Sequence, residues 1–175
     1  MGGFSKAPKF PQPANLNFLF RLYSTAPKSD RGKQALKMAL RQLDCMALGG
    51  INDHVAKGFA RYSTDAEWHV PHFEKMLYDQ GQLAVSYASA VQASTAEQRD
   101  YYAKILGDIL EYVERYTFLI RTQEPGVQFS IFRDMQHPLG GFYSAQDADS
   151  LPAESDTKKR EGAFCVWVYE DMKVG

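Results

Sequence analysis

Cysteine is scarce in this chain, and neither sign of charge dominates it. Two cysteines, Cys45 and Cys165, occur in 175 residues, too few for a disulfide framework, which points to a reducing compartment. Twenty basic residues against 21 acidic ones leave a formal net charge of -1, so the electrostatic footprint expected of a nucleic-acid or anionic-membrane binder is missing. No apolar run approaches the roughly 20 residues of a membrane span. The start, MGGFSK, has no apolar signal core and carries Lys6 where a myristoylation signal has Ser or Thr. These absences predict a soluble, intracellular chain without nucleic acid or membrane as partner. Also missing are Cys-x-x-Cys, a Gly-rich phosphate loop, Gly-x-Ser-x-Gly and His-Glu-x-x-His, which removes the redox-dithiol, nucleotide and serine-hydrolase readings and leaves no cofactor to expect.

What is present is enough apolar material, 45% of the residues, for one domain with a real core over residues 1–175. The prolines of residues 2–13 exclude a regular helix there. Asn15 is placed to cap a short helix from Leu16 to Tyr23, broken near Pro27. Leu36, Ala39, Leu40, Leu43, Met46 and Ala47 then follow the spacing of an amphipathic helix over Lys33 to Leu48, closed by Gly49 and Gly50. Pro71 suits the first turn of the next helix, predicted to run to about Ala93 with Leu77, Ala84, Tyr87, Ala88 and Val91 inward. Thr95 and Gln98 form a capping-box pattern ahead of a helix bearing Tyr102, Ile105, Leu106, Ile109, Leu110, Val113 and Tyr116. Near the C-terminus Gly140 to Tyr143 and Ala163 to Tyr169 read as two strands of a small β-hairpin around a polar loop.

The unusual chemistry is concentrated between Gly49 and Leu83, which holds three of the four histidines together with Trp68. Its Gly58 to Ser63 portion alternates like a short strand. An imidazole serves as acid or base near neutral pH, so His54 or His72 beside Asp53 or Glu74 is equipped to move a proton. Arg61 and Lys75 can hold a carboxylate, phosphate or sugar hydroxyl, or equally be taken up in salt bridges with Asp53, Glu74 or Asp79. His69-x-x-His72 with Glu74 has metal-ligand types, but Pro71 interrupts the spacing and no third ligand is assigned, so hydrogen bonding is the preferred reading and no metal is expected. Asp147 and Asp149 are able to ligate calcium, act as paired glycosidase carboxylates or make Asx-turns, with the turn preferred.

Three phrases extend this reading: GGFSKAPKFPQP at 2–13, GGINDHVAKGFARYSTDAEWHVPHFEKMLYDQGQLA at 49–84, and GGFYSAQDADS with EGAFCVWVYE at 140–150 and 161–170. Together they resemble the thioredoxin-domain-containing family of spermatogenesis-associated protein 20 and its bacterial YyaL-type relatives. The resemblance implies an N-terminal thioredoxin-like domain ahead of an (α/α) toroid similar to the six-hairpin glycosidases and N-acylglucosamine 2-epimerases. This chain would then be a mainly α, partial toroid, beginning after the thioredoxin-like domain and stopping before the ring closes. The family pattern has glycines at Ala56 and Lys57, a histidine at Ala60 and a glutamate at Gln146, and it passes almost directly from YVERY to RDMQHPLGGFYSA, which makes residues 118–132 an apparent insertion.

In such toroids the pocket is lined by loops at one end of the inner helices. The resemblance therefore places His54, Arg61, Tyr62, Trp68, His72, Glu74 and Tyr78 on a common rim. The resulting expectation is a piece of a sugar-processing toroid, epimerase-like or glycosidase-like. His54, His72 and Glu74 are its catalytic candidates; Arg61, Tyr62, Trp68, Tyr78, Asp147 and Asp149 are its substrate-binding candidates; a carbohydrate is its ligand. The alternatives are a non-catalytic binding or scaffold module of a thioredoxin-linked protein, and an incomplete, inactive isoform. An open ring also leaves an apolar edge on which a protein partner would sit.

Overall fold

The computed structural model describes residues 2–114, 135–137, 139–152, 156–163 and 165–166. It is mainly helical, with three small antiparallel strand pairs among the described residues. The proposed insertion at 118–132 and most of the expected strand 163–169 lie outside the described residues.

The first helix, α1 (Pro13–Thr25), begins at a proline whose fixed φ is already helical. Asn15 is therefore one turn inside the helix rather than its cap, and its side chain donates to Gln12 Oε1 at 2.8 Å. Helix α2 (Asp30–Leu48) starts three residues before the expected Lys33, because Ser29 caps it: the Gly32 N–H donates to Ser29 Oγ at 3.0 Å. Gly32 sits so close to the end of α1 that a Cβ would lie 2.1 Å from the Ala26 carbonyl oxygen. The inward stripe Ala39, Leu43, Met46 and Ala47 is buried as its spacing predicts, and the helix stops at Gly49.

Residues 71–76 overturn the predicted helix start at Pro71. Strand β1 (Tyr62–Ser63) pairs antiparallel with β2 (Pro71–His72), and β3 (Lys75–Met76) pairs with β4 (Ala145–Gln146). Only after these pairings does α3 (Leu77–Ala93) begin. Two partner backbones satisfy the donors and acceptors of this stretch, so extended geometry wins over the local helical preference. The inward face of α3 is also rotated from the expected stripe. Asp79, Gln80, Leu83, Ser86, Tyr87 and Ala90 are buried, whereas of the predicted set only Tyr87 is fully inside.

Helix α4 (Ala96–Glu114) follows a two-residue link and packs along α3, as α1 packs along α2; α1 also contacts α3. Thr95 Oγ1 reaches Gln98 Oε1 at 3.3 Å in place of the reciprocal capping box. Tyr102, Ile105, Ile109 and Tyr112 are buried, Leu106 is half-buried and Leu110 is exposed. The core carries large tyrosines whose hydroxyls find partners. Tyr87 donates to the Leu43 carbonyl at 3.0 Å and Tyr102 to Asp44 Oδ1 at 2.7 Å. None of the described helices is long and apolar enough to cross a membrane.

The C-terminal hairpin is present with different strands. Phe142 makes a single bridge to Gln136, and the pairing falls on β5 (Asp149–Ser150) with β6 (Arg160–Glu161). Ala163 lies in the turn after Gly162 instead of opening a strand. Gly162 has φ +66°, and a Cβ there would lie 2.5 Å from the Phe73 ring, so this hairpin seats directly on the segment between β2 and β3.

Candidate functional site

The β1–β2 corner is built by one aspartate. Asp65 Oδ1 accepts from the Glu67 N–H at 2.7 Å and the His69 N–H at 3.1 Å, and Oδ2 accepts from the Val70 N–H at 2.6 Å. Desolvation alone would raise its pKa, but these backbone donors outweigh it and hold the carboxyl below its ordinary value. With the turn fixed, Tyr62 stands opposite His72, and the two rings stack with centroids 4.9 Å apart and planes 18° off parallel. Phe10 extends the stack, its centroid 4.9 Å from Tyr62.

His72 is the centre of the charged groups. Its Nδ1 lies 2.6 Å from Glu161 Oε1 on the C-terminal hairpin, and its Nε2 lies 4.0 Å from Glu74 Oε2. An ionised carboxylate only accepts, so Glu161 places the proton of a neutral imidazole on Nδ1 and leaves the Nε2 lone pair toward Glu74. Glu74 in turn accepts from Arg61 Nη1 at 2.9 Å, and its carbonyl accepts from the Arg61 N–H at 2.8 Å. Hydrogen bonding to Glu74 leads the causes that raise the Arg61 pKa, and Tyr78 contributes beside it.

The predicted set is thus partly assembled. Arg61, Tyr62, His72, Glu74 and Tyr78 come together. His54 is exposed and hydrogen-bonds the Gly49 carbonyl at 3.2 Å, at the end of α2. Asp53 does not serve it as a proton partner, because its carboxylate is taken by Lys75 and by the Val55 and Ala56 N–H groups. Trp68 has no exposed surface; its indole donates to the Gly2 carbonyl at 2.9 Å and its ring is covered by Lys9 Nζ at 4.8 Å. A sugar face cannot stack on it there. Asp147 makes the Asx-turn, accepting from the Asp149 N–H at 3.1 Å, and meets Lys159 at 3.3 Å. That N–H, followed by Lys159, lowers its pKa. Asp149 is exposed and pairs in register with Glu161. Among the described residues no group of three or more His, Cys, Asp or Glu side chains is disposed to hold a metal ion.

Beneath this corner lies a buried polar layer, of which sequence reasoning named the Lys75 pairing with Asp53 but not the roles of Gln80 and Tyr112. Lys75 is 5% exposed; its Nζ donates to Asp53 Oδ2 at 2.8 Å and to the Lys57 carbonyl at 2.7 Å, and it lies 4.7 Å over the Tyr112 ring. Burial pushes the Asp53 pKa up, but Lys75 and the two backbone donors bring it below the ordinary value. Gln80 uses its side-chain amide as a strand would, accepting from the Phe59 N–H at 2.9 Å and donating to the Phe59 carbonyl at 2.7 Å. Tyr112 donates to Gln146 Oε1 at 2.6 Å, tying α4 to β4 at the position where the resemblance leads one to expect a glutamate.

Asp79, in the first turn of α3, is 6% exposed, and its Oδ2 has no hydrogen-bond partner among the described residues. Desolvation, offset in part by Arg61 and reinforced by Glu74, pushes its pKa up to about 6. The signal for both Asp79 and Gln80 was available: polar residues at positions 79 and 80 share the helical arc of Leu83, Tyr87 and Ala90.

Comparison with known proteins fits these phrases. No family model matches the chain. It is 47% identical over 172 residues to spermatogenesis-associated protein 20 of Mus musculus and 46% identical to the protein of that name in Homo sapiens. It is also 40% identical over 173 residues to an uncharacterized Caenorhabditis elegans protein. These alignments take in 98–99% of this chain but 19–21% of the relatives, so the chain spans about a fifth of their length.

Proposed function

We propose, from the premise that the chain belongs to the spermatogenesis-associated protein 20 family, that its β1–β2–α3 corner is part of the wall of a sugar-processing pocket. One observation carries the reading. A half-buried imidazole, His72, is oriented by the Glu161 carboxylate, stacked on an aromatic ring and aimed through Nε2 at a second carboxylate, Glu74. A base oriented by a third group is the recurring arrangement of enzymes that move protons. The Arg61 fork beside Glu74 suits the hydroxyls of a polyhydroxylated ring.

In this reading His72 transfers the proton, Glu161 holds its tautomer, Glu74 is the facing carboxyl, and Arg61, Tyr62 and Tyr78 bind the substrate. Epimerisation needs a second acid/base group on the opposite face of the sugar, and hydrolysis needs a carboxyl pair at a defined separation. The two consecutive helix pairs, α1 with α2 and α3 with α4, suit successive hairpins of an (α/α) toroid, whose remaining hairpins belong to other parts of a longer chain. Phe18, Val85 and Leu110, all exposed, are then the faces that neighbouring hairpins or a partner would cover.

The test is a screen of a full-length family member with N-acyl sugars and disaccharides, alongside its His72→Gln variant. Turnover that the variant loses supports the reading; a well-folded protein silent across the panel overturns it. The separate position of His54, which removes one catalytic candidate from the corner, favours a second reading, a binding module without catalysis. It predicts sugar-induced changes in the Tyr62 and His72 signals with no product formed.

A further inference from the structure

A groove of about 640 Å³ lies along α2, from Lys33 to Asp44, and reaches Gln98 on α4; it shares no residue with the β1–β2 corner. Two rows of side chains line it at one pitch. Lys33, Lys37 and Arg41 follow one another at four-residue intervals, and Leu36 and Leu40 run beside them at the same interval. The three cations are exposed, and none makes an ion pair or a side-chain hydrogen bond among the described residues. Leu36 and Leu40 are half-buried against the core, while Met38, also in the groove, is 42% exposed. Asp44, the one acid among the described lining residues, stands at the far end and accepts from the Tyr102 hydroxyl at 2.7 Å.

Like charges four residues apart destabilise a helix, so this row carries a cost that an anionic partner would relieve. The pattern also says what kind of anion. Eight residues separate Lys33 from Arg41, about 12 Å along the helix axis, which is too long for one small anion. A phosphate backbone would leave the apolar row unused, and a flat bilayer surface does not enter a concave groove. A second α-helix has the matching repeat: carboxylates at four-residue spacing rise by the same distance, with an apolar row alongside them.

We propose that this groove docks an acidic amphipathic helix of a partner protein, its carboxylates meeting Lys33, Lys37 and Arg41 and its apolar row lying on Leu36, Met38 and Leu40. The surface is separate from the sugar-pocket reading and stands without it.

The experiment follows the fluorescence anisotropy of a labelled helical peptide of about 16 residues, bearing glutamate and leucine rows at four-residue spacing, as the 175-residue chain is added. Binding is expected, weaker by about tenfold in the triple variant Lys33→Ala/Lys37→Ala/Arg41→Ala and by about tenfold when salt rises from about 0.05 M to about 0.5 M. Met38→Ala keeps every charge and is expected to cost about threefold. All four positions are exposed and alanine is the best helix former, so the variants keep the fold, as a thermal melt will check. Absence of binding, or binding that the triple variant leaves unchanged, overturns the proposal. Charge attraction alone would show as unchanged affinity in Met38→Ala and equal binding of a peptide with glutamine in place of leucine, and it overturns the proposal too. Two other occupants are tested alongside. Co-sedimentation with phosphatidylserine vesicles without peptide binding would assign the cation row to a membrane surface, and self-association that the triple variant abolishes would assign the groove to a second copy; either result overturns the partner helix.

Discussion

Asp53 and Asp79 are 26 residues apart in one segment, both largely buried, and their pKa values move in opposite directions. The difference is company. Asp53 has the Lys75 ammonium at 2.8 Å and two backbone N–H groups, which more than offset its desolvation. Asp79 has no hydrogen-bond partner for its Oδ2 among the described residues, an arginine that attracts it and a glutamate that opposes it. The first is a clamp that holds the loop between α2 and β1 onto β3. The second is an incompletely satisfied carboxyl, which costs stability when it ionises. Burial alone says little about what a carboxyl does; the partners around it decide.

The largest effect that would break this comparison is removal of the clamp's cation. Lys75→Met leaves Asp53 enclosed without its partner and is expected to destabilise the fold by about 3 kcal/mol, read from the denaturant midpoint at constant m. A loss below about 1 kcal/mol would mean that Asp53 simply turns to water, and the contrast with Asp79 would collapse.

Next comes pH, where the two carboxyls should oppose each other. Asp53 has a depressed folded-state pKa, so its stabilisation is present above the unfolded value and is lost as pH falls through the depressed one. Asp79 is raised from 3.8 to about 6, so its cost appears as pH rises from the unfolded value through the folded one and is absent in acid. Asp79→Asn is therefore expected to stabilise the chain by about 1–3 kcal/mol near neutral pH and to change little below about pH 4, as thermal melts across the range would reveal. A pH-independent gain would trace to packing and not to ionisation.

Gln80→Leu should cost about 1–3 kcal/mol, since both backbone groups of Phe59 lose their partner in the core. Its counterpart at the rim is smaller. Glu161→Gln, at a half-exposed contact with His72, should change stability by less than about 1 kcal/mol, while altering the His72 ring signal that reports its tautomer. A comparable loss from both would remove the distinction between a buried layer that supports the fold and an exposed contact that does not.

Several of these features could be read from residue order. The helix to Leu48 and the helix after Thr95 follow from apolar spacing, because such a stripe is buried by any neighbour it meets. Asp147 makes its turn with a backbone group two residues away, a contact that local sequence already contains. The family phrases are likewise local strings, and they marked Arg61, Tyr62, His72, Glu74 and Tyr78 as companions. What they could not convey is that Trp68 would be enclosed by Gly2 and Lys9, or that Glu161 would reach His72 across 89 positions.

The amino-acid sequence by itself determined the helical class, the family and most of the residues that meet at the β1–β2 corner, since periodicity and contiguous phrases need no partner to be recognised. Tertiary structure alone decided that residues 71–72 and 75–76 are strands, that Lys75 points inward, and that Asp79 Oδ2 has no hydrogen bond among the described residues. The reason is physical: whether a polar group is satisfied depends on which distant backbone or side chain arrives within about 3 Å of it, and that is a property of the folded chain.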